Sequence, residues 1–515
     1  MLKIDGNSLT LSEVAEVARQ QLPVGLSSQT VTKIQKSRQW VEEIISTGKP
    51  VYGINTGFGA FADRQISTQD SELLSRNLIL SHAVGTGPAL QKDVVRAAML
   101  IRANTLAKGH SGVRLDVVNT LLEMLNKGLT PVVPSQGSLG SSGDLAPLSH
   151  LALVFTTDQE DKEEESGWAE YQGRHITGKK AMEAAGIPRL ILKSKEGLAI
   201  NNGATFSAAI AALVCEDAVN LLQASEIALA MSLEAMLGVS SAFDPRIHEV
   251  RHHPGQIKIA KNIRKLTEGS ELLDSTEKIQ DAYSLRCAPQ VHGPVEETLA
   301  FVKKIIAREI NAVTDNPLLF DRQTAISGGN FHGEPVGLGM DYLSIALTEI
   351  AGISERRIFR LTDSNLNADL PPMLVNTPED AGLNSGMMMP QYTAASLVLE
   401  NRSLASPDST NSLPTSAEQE DHNANSMTAA RHTQQIVKNT THVVAIELYT
   451  AARALDIRLR EKPHAKLGKG TQAAYERIRS QIPYQPGDAW WGPEIETLRE
   501  MVEKRELVSA VQQAK

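Results

Sequence analysis

The segment from Gly203 to Gly238 constrains the fold of this chain more than any other feature of the sequence. It is rich in Ala and Leu, contains no Pro, and its few charged residues are all acidic. A helix that is apolar on most of its faces must be buried, and small side chains let other helices approach it closely. We therefore expect this segment to form the centre of a large helical bundle, which subunits can share.

Helical signals also dominate the rest of the chain. Apolar residues recur at the spacing of one helix face between Val295 and Ile310. A shorter helix is predicted from Asp116, a plausible N-cap, to a stop at Gly128. Strand signals are weak, and the clearest is a short hairpin at Trp168–Gly178. The expected fold class is mainly α.

Composition and charge exclude several classes of function. The chain has 515 residues and a net charge of −9, and it lacks the stripe of Lys and Arg that nucleic acid binding requires. Its first residues lack the apolar core of a signal peptide, and no long uncharged apolar run predicts a membrane span. Two cysteines cannot build a disulfide framework. We expect a cytoplasmic globular protein.

One short motif imitates a metal site. His248-Glu249-Val250-Arg251-His252 fits the H-E-x-x-H pattern of zinc proteases. That chemistry needs both histidines on one uninterrupted helix, whereas Pro245 precedes the motif and Pro254 follows it closely. We interpret the motif as a polar loop and expect no metal.

The stretch GSLGSSGDLAPLSH, from Gly137 to His150, concentrates glycine and serine between two apolar segments. A phosphate-binding loop would end in G-K-[ST] or follow the G-x-G-x-x-G pattern, and neither is present, so a nucleotide is not expected. A flexible linker is disfavoured because the apolar flanks hold the loop between buried elements. Backbone chemistry is the third interpretation.

In the tripeptide Ser141-Ser142-Gly143, the amide nitrogen of Gly143 can attack the carbonyl of Ser141 if the backbone bends tightly. Glycine suits this bend because it lacks a Cβ. Loss of one water closes a five-membered ring, and loss of a second from the Ser142 hydroxyl leaves an exocyclic methylidene, a strong electrophile. The protein would then make its own cofactor.

At this point the sequence resembles the histidine and aromatic amino-acid ammonia-lyases, which carry 4-methylideneimidazol-5-one (MIO). Ten motifs, spread over nearly the whole chain in the family's order, carry the resemblance. They are VYGINTGFG (from Val51), NLILSHAVG (Asn77), GSLGSSGDLAPLSH (Gly137), EGLAINNG (Glu196), QDAYSLRCAPQVHG (Gln280), DNPLLFD (Asp315), SGGNFHGEP (Ser327), SERR (Ser354), GLNSGMMMPQ (Gly382) and PTSAEQEDH (Pro414).

The resemblance implies a mainly α homotetramer with a long central helical bundle and active sites built from more than one subunit. A smaller N-terminal domain, residues 1–200, would carry the loop of the base and the MIO loop. Residues 201–515 would form the central bundle and the C-terminal helices. The implied substrate is a small amino acid.

The implied reaction removes ammonia, a poor leaving group, together with a weakly acidic β-proton, so it needs an electrophile and a base. By resemblance the electrophile derives from Ser142 and the base is Tyr52, on a glycine-rich loop that can close over the site. Arg286 would bind the substrate carboxylate through a bidentate fork. Taken alone, Tyr52 could equally fill a surface groove, and Arg286 could be a member of a structural ion pair.

The resemblance also assigns the surroundings of the substrate. Asn202 would lie near its amine and carboxylate, Gln280 and Tyr283 would form a polar wall, and Phe331 would pack on its ring, although Phe331 could equally be core. The expected catalytic residues are Tyr52, Ser141, Ser142, Gly143, Tyr283 and Glu420, and the expected substrate-binding residues are His82, Asn202, Gln280, Arg286 and Phe331.

Two residues indicate which side chain is selected. His82 and Glu420 are similar to the histidine-specific branch of the family. A carboxylate can accept a hydrogen bond from an imidazole N–H, whereas facing a phenyl ring it would be buried without a partner. In isolation a histidine at this position would more often cap a helix. The expected reaction is conversion of L-histidine to trans-urocanate and ammonia.

Three departures from the family pattern bear on this expectation. Ser141 stands where the family usually has Ala, but its side chain lies outside the ring. Asn201 to Ala204 place an extra polar group and lose a hydroxyl beside the site, and NANSM after His422 is longer than the usual step. Alternatives are therefore a tyrosine or phenylalanine lyase, a 2,3-aminomutase, a lyase of a modified histidine, and a silent homologue that only binds a ligand.

Overall fold

The computed structural model describes residues 1–48, 50–51, 53–56, 64, 66–67 and 70–514. The helices are α1 (Leu11–Gln20), α2 (Ser28–Ser46), α3 (Ser71–His82), α4 (Lys92–Ala107), α5 (Leu115–Lys127), α6 (Leu145–Phe155), α7 (Gly178–Ala185), α8 (Glu196–Asn201), α9 (Thr205–Ala235), α10 (Pro245–Glu249), α11 (Pro254–Leu266), α12 (Tyr283–Arg286), α13 (Ala288–Glu309), α14 (Glu334–Thr362), α15 (Met388–Leu404), α16 (Ser426–Glu461), α17 (Lys469–Gln481), α18 (Trp491–Glu503) and α19 (Glu506–Gln513).

The strands are short. They are β1 (Leu2–Ile4), β2 (Val24–Leu26), β3 (Thr86–Ala89), β4 (Thr130–Pro131), β5 (Pro134–Gln136), β6 (Thr156–Thr157), β7 (Trp168–Tyr171), β8 (Arg174–Thr177), β9 (Leu190–Ile191), β10 (Leu318–Leu319) and β11 (Ala325–Ile326). β1–β2 and β6–β9 pair in parallel, whereas β3–β5, β10–β11 and the sheet β4-β7-β8 are antiparallel. The mainly α class is confirmed.

The apolar segment from Gly203 to Gly238 forms the helix α9, and nearly all of its side chains are buried. In the described part of the chain, two helical stretches, Glu196–Ala235 and Glu334–Thr362, are long and apolar enough to cross a membrane. The apolar window of the first is wholly buried within the protein, and that of the second is 61% buried. This apolar character serves helix packing, as expected of core helices.

The local predictions can be compared with the helices and strands directly. The periodic segment from Val295 lies in α13, and its apolar face is buried. The hairpin is formed by β7 and β8. The predicted N-cap was wrong: Arg114 caps α5, while Asp116 lies in the first turn, where the helix dipole favours an acidic residue.

The zinc-like motif does not lie on a single helix. α10 ends at Glu249, and His252 has a left-handed φ of 64°. The Nε2 atom of His248 lies 3.1 Å from the carbonyl oxygen of Ala242. The two histidines of the motif therefore do not share one helix face.

The chain divides into two compact units that interleave along the sequence. The first comprises Met1–Glu216, Lys303–Asp341 and Pro407–Arg431, and the second comprises Asp217–Val302, Tyr342–Ser406 and His432–Lys515. The eleven strands found in the described residues all belong to the first unit. The predicted division at residue 200 is a single cut of the chain, and as a domain assignment it stays a prediction.

Candidate active site

The tripeptide Ser141-Ser142-Gly143 lies in the loop between β5 and α6, in the first unit. Gly140 and Gly143 have φ values of 107° and 67°. Residues other than glycine rarely adopt positive φ values of this kind. Ser141 and Gly143 are buried, whereas Ser142 is half-buried. The glycines thus let the loop bend sharply beneath a partly accessible serine.

Two other segments of the first unit hold this loop through its carbonyl groups. The N–H of Gly333 donates to the carbonyl oxygen of Ser141 over 2.8 Å, and the N–H of Ala424 donates to that of Gly140 over 3.3 Å. A backbone N–H aimed at a carbonyl oxygen stabilises negative charge that develops there. The N–H of Gly333 therefore polarises the carbonyl of Ser141, and the carbonyl of Ser142 accepts a separate hydrogen bond from the N–H of Asp144 over 2.7 Å.

Asp144 follows the tripeptide at the N-cap position of α6, and it is fully buried against the first turn of α9. Its carboxylate accepts hydrogen bonds from the Ser138 hydroxyl at 3.0 Å and from the N–H of Ser207 at 2.8 Å. Burial raises the pKa of Asp144 to about 6, although these hydrogen bonds act in the opposite direction. A carboxyl with such a pKa can accept and return a proton near neutrality.

A cavity of about 1200 Å³ opens above the tripeptide, and all of the residues that line it belong to the first unit. Six of the predicted site residues are in its wall. They are His82, Ser141, Ser142, Asn202, Phe331 and Glu420. Gly143 lies buried directly behind Ser142.

His82 and Glu420 form a pair of polar groups in the cavity wall. His82 is the last residue of α3, and its Nδ1 lies 3.0 Å from the Ser81 hydroxyl. Burial lowers the pKa of His82, and the charge of Glu420 partly offsets this effect. The ring of His82 is therefore kept mainly neutral at pH 7.

The turn that carries Glu420 has an unusual backbone. Ser416, Ala417 and Glu418 have φ values of 52°, 52° and 66°, although none of them is glycine. The turn is closed by the N–H of Thr415, which donates to the carbonyl oxygen of Glu420 over 2.8 Å. The Thr415 hydroxyl also donates to the Glu420 carboxylate over 3.3 Å. Local contacts thus fix both the backbone and the carboxylate of Glu420.

Asn202 and Phe331 reach the cavity from two separate segments. Asn202 ends α8, where the buried guanidinium of Arg102 donates to the carbonyl oxygen of Ala199 over 3.2 Å. The loop before Phe331 is held by Asn316, whose carboxamide oxygen accepts from the N–H of Gly328 at 2.8 Å. Buried polar anchors therefore define both positions.

Three predicted site residues belong to the second unit and are not among the residues that line the cavity: Gln280, Tyr283 and Arg286. The ring of Tyr283 is 71% exposed, and the guanidinium carbon of Arg286 lies 4.7 Å from its centroid. The Nε of Arg286 donates to the carbonyl oxygen of Asp281 over 2.9 Å. Tyr52 lies outside the described residues.

The asparagines at the sequence departures form hydrogen bonds outside the cavity wall. Asn201 is buried, and its amide donates to the hydroxyl of Ser149 over 3.3 Å. In the insertion after His422, the N–H of Asn423 donates to the Ser412 hydroxyl, and the amide of Asn425 donates to backbone carbonyl groups nearby. None of these three asparagines is among the described residues that line the cavity, and their effect on substrate choice stays a prediction.

Sequence reasoning assigned no role to a pair of histidines in the same cavity wall. The rings of His332 and His422 are nearly parallel, with centroids 5.8 Å apart. Both lie inside motifs that carry the family resemblance, SGGNFHGEP and PTSAEQEDH, so their position in the sequence was the available signal. Within the described ranges, no group of three or more His, Cys, Asp or Glu side chains is arranged to hold a metal ion.

Known proteins similar in sequence to this chain include several histidine ammonia-lyases. A histidine ammonia-lyase of Caldanaerobacter subterraneus subsp. tengcongensis is 50% identical over 93% of this chain and 92% of its own length. Other histidine ammonia-lyases are 44 to 47% identical over at least 99% of the chain.

Solved structures share the fold over the whole chain. The tyrosine aminomutase from Streptomyces globisporus is 34% identical, with a TM-score of 0.92, and the alignment covers 100% of this chain and 99% of that one. The histidine ammonia-lyase from Trypanosoma cruzi is also 34% identical, with a TM-score of 0.90 and coverage of 100% and 95%. Residues 9–480 match the family described as aromatic amino acid lyase, and the chain therefore belongs to that family of carbon–nitrogen lyases.

Proposed function

We propose that this enzyme removes ammonia from L-histidine to give trans-urocanate, using an MIO group formed from Ser141, Ser142 and Gly143. One observation carries the proposal: the tripeptide lies in the same cavity wall as His82 and Glu420. An electrophile and an imidazole-binding pair then face one bound amino acid. The similarity to relatives named histidine ammonia-lyase supports the same substrate.

The residues around the tripeptide fit formation of the ring. The N–H of Gly333 polarises the Ser141 carbonyl, which must accept the Gly143 nitrogen. Asp144 is adjacent to the tripeptide and has a pKa suited to proton transfer. Once formed, MIO supplies an electrophilic methylidene that captures the substrate amine and makes it a better leaving group.

The substrate ring is recognised by hydrogen bonds. The carboxylate of Glu420 accepts the ring N–H of histidine, and neutral His82 faces the other ring nitrogen. Phe331 packs against the ring, and Asn202 holds the amine and carboxylate end. A substrate without ring nitrogens would leave His82 and Glu420 unpaired in a desolvated pocket, which costs a few kcal/mol.

Three further residues, Gln280, Tyr283 and Arg286, come from a neighbouring subunit of a homotetramer. Gln280, Tyr283 and Arg286 belong to the second unit, and the exposed ring of Tyr283 is available to a partner. Tyr52 takes the β-proton, and Arg286 binds the substrate carboxylate. We place this tetramer in the cytoplasm.

Exposed apolar side chains on α14 and α15 support the assembly, because a monomer rarely exposes so many large ones on neighbouring helices. They are Tyr342, Ile345, Phe359, Met389, Tyr392 and Leu399.

An aminomutase is the second candidate, because the fold is equally similar to that of a tyrosine aminomutase. Identification of the product separates the two functions. Purified protein is incubated with histidine, phenylalanine and tyrosine in turn, and the products are identified by mass and chromatography. Urocanate from histidine supports the proposal, and a β-amino acid or an aromatic acrylate from tyrosine or phenylalanine alone contradicts it.

A substitution tests how the ring is recognised. Glu420→Gln should lower kcat/KM for histidine roughly 10- to 100-fold, since hydrogen bonds to charged groups contribute about 1.5–3 kcal/mol. Glu418→Gln is the matched control, because Glu418 lies on the same turn but is exposed and does not line the cavity. Equal kinetics of the two variants would exclude Glu420 from the site.

A further inference from the structure

A line of buried hydroxyl groups, those of Ser207 and Ser426, runs by hydrogen bonds from the carboxylate of Asp144 to the neighbourhood of Gly143. The Ser207 hydroxyl donates to both carboxylate oxygens of Asp144 at 3.1 Å, and the Ser426 hydroxyl donates to that of Ser207 at 3.0 Å. Asp144 and Ser207 are fully buried, and Ser426 is 2% exposed. Every donor in this line points towards the carboxylate, so Ser426 keeps lone pairs with which it can accept another proton.

The end of the line lies between two glycines that matter for ring closure. A Cβ on Gly143 would lie 3.6 Å from the Ser426 Oγ, and a Cβ on Gly333 would lie only 2.5 Å from it. Gly143 supplies the attacking nitrogen, and Gly333 binds the Ser141 carbonyl. The Ser426 hydroxyl therefore lies beside the glycine that supplies the attacking nitrogen and beside the glycine whose N–H binds the Ser141 carbonyl.

We propose that Ser426 and Ser207 form a proton relay that carries the Gly143 amide proton to Asp144 during closure of the tripeptide ring. This role rests on the proposed function, and it gives a task to two serines outside the tripeptide. Neither serine lines the substrate cavity. They are positioning and proton-transfer residues for self-processing and do not contact the substrate.

The Gly143 nitrogen forms a bond to the Ser141 carbonyl carbon while its proton passes to Ser426, the Ser426 proton passes to Ser207, and the Ser207 proton passes to Asp144. The carbonyl oxygen gains charge against the Gly333 N–H. It then leaves as water with the proton returned from Asp144 and the proton of the Ser142 amide, as a C=N bond forms between the Ser141 carbon and the Ser142 nitrogen.

The geometry explains why Asp144 needs such a relay. Its oxygens are already occupied by Ser138, Ser207 and the first turn of α9. The burial that raises the pKa of Asp144 to about 6 makes it a suitable base, and Ser207 is the hydroxyl that connects it to Ser426. Among the described residues, the charged groups that interact with Asp144 are Arg102 and Glu309, and burial raises the pKa of Glu309 to about 7. A hydroxyl line transfers a proton without any movement of the carboxylate.

The test isolates ring closure from the second dehydration. Ser142→Ala can lose only the water of ring closure, so it serves as the parent. The full chain is synthesised in a cell-free reaction, transferred to buffers between pH 5 and 8, and its intact mass is followed over time. The parent should lose one water at a rate that rises as Asp144 ionises near pH 6.

Adding Ser426→Ala or Ser207→Ala to the parent should slow the loss of water about 100-fold and remove the inflection near pH 6, as expected when acid–base catalysis is lost. Ser149→Ala is the matched control, because Ser149 is an equally buried serine of the same unit that pairs with Asn201 instead. It should leave the rate unchanged. Circular dichroism confirms that each variant is folded.

The outcomes separate the two proposals. If the parent and the wild-type chain both keep their full mass, formation of MIO fails, and the relay fails with it. If the parent loses water and the relay variants lose it at the same rate with the same pH profile, the relay alone is overturned. Equal slowing by Ser149→Ala would also overturn it.

Discussion

His292 is a single residue whose burial should govern the acid stability of the fold. Its side chain is fully buried in α13, and within the described structure neither ring nitrogen has a hydrogen-bond partner. Burial lowers the pKa of His292 to about 3, and the nearby charge of Arg357 acts in the same direction. The native state therefore keeps this ring neutral at pH values where an unfolded chain protonates it.

The pH window follows from the two pKa values. Above pH 6.5 the ring is neutral in both states and has no effect on stability. Between pH 6.5 and 3 only the unfolded state binds the proton, so stability falls by about 1.4 kcal/mol per pH unit, or about 2 kcal/mol by pH 5. His292→Leu should make the drop in thermal midpoint between pH 7 and pH 5 smaller.

His253→Gln controls for loss of a histidine as such, because His253 is exposed. Its midpoint should follow that of the wild type at both pH values. An unchanged pH dependence in His292→Leu would show that the ring is not held neutral.

Helices and bends that depend only on neighbouring residues in the sequence could be predicted. The burial of α9 follows from its apolar composition on most faces, the buried face of α13 follows from its periodicity, and the bend at the tripeptide follows from its glycines. The turn Ser416–Glu418 was not predictable, because three successive residues other than glycine adopt left-handed φ values only where other contacts enforce them. The same holds for the contact of Ser207 with Ser426, which are far apart in sequence.

The left-handed turn at residues 416–418 should determine how well the Glu420 carboxylate is positioned. Each left-handed residue other than glycine costs about 1–2 kcal/mol, and the strained turn sets the position of Glu420. Ala417→Gly should preserve activity with an equal or higher melting midpoint. Ala417→Val should lower kcat/KM for histidine at least about tenfold, since a β-branched residue resists positive φ, while the intact mass still shows loss of two waters.

Leu413→Val is the control for the two Ala417 variants. Leu413 precedes the turn, its side chain is exposed, and its φ is not left-handed. It should leave kcat/KM unchanged. Full activity of Ala417→Val would show that the backbone of the turn does not position the carboxylate.

At the scale of the whole molecule, the predicted site residues divide between the two compact units. His82, Asn202 and Glu420 belong to the first, whereas Tyr283 and Arg286 belong to the second. Motif reasoning could name all of them but could not assign them to units, because the units interleave along the chain and are defined by contacts distant in sequence. This division gives the shared-site proposal its test.

Two inactive variants should complement each other if sites are shared. Tyr52→Phe and Arg286→Ala are unfolded, mixed in equal amounts and refolded together. If a site takes Tyr52 from one subunit and Arg286 from another, about a quarter of the sites in mixed tetramers contain both native residues, and about a quarter of the wild-type activity returns. The control mixes Arg286→Ala with Tyr283→Phe, two changes within α12. Every chain then carries a defective copy of this helix, so no activity should return, because no site can receive an intact one. No recovery in the first mixture, despite mixed tetramers by native mass spectrometry, would show that Tyr52 and Arg286 of one site belong to the same subunit. Recovery in the control would show that one site does not take Tyr283 and Arg286 from the same α12 helix.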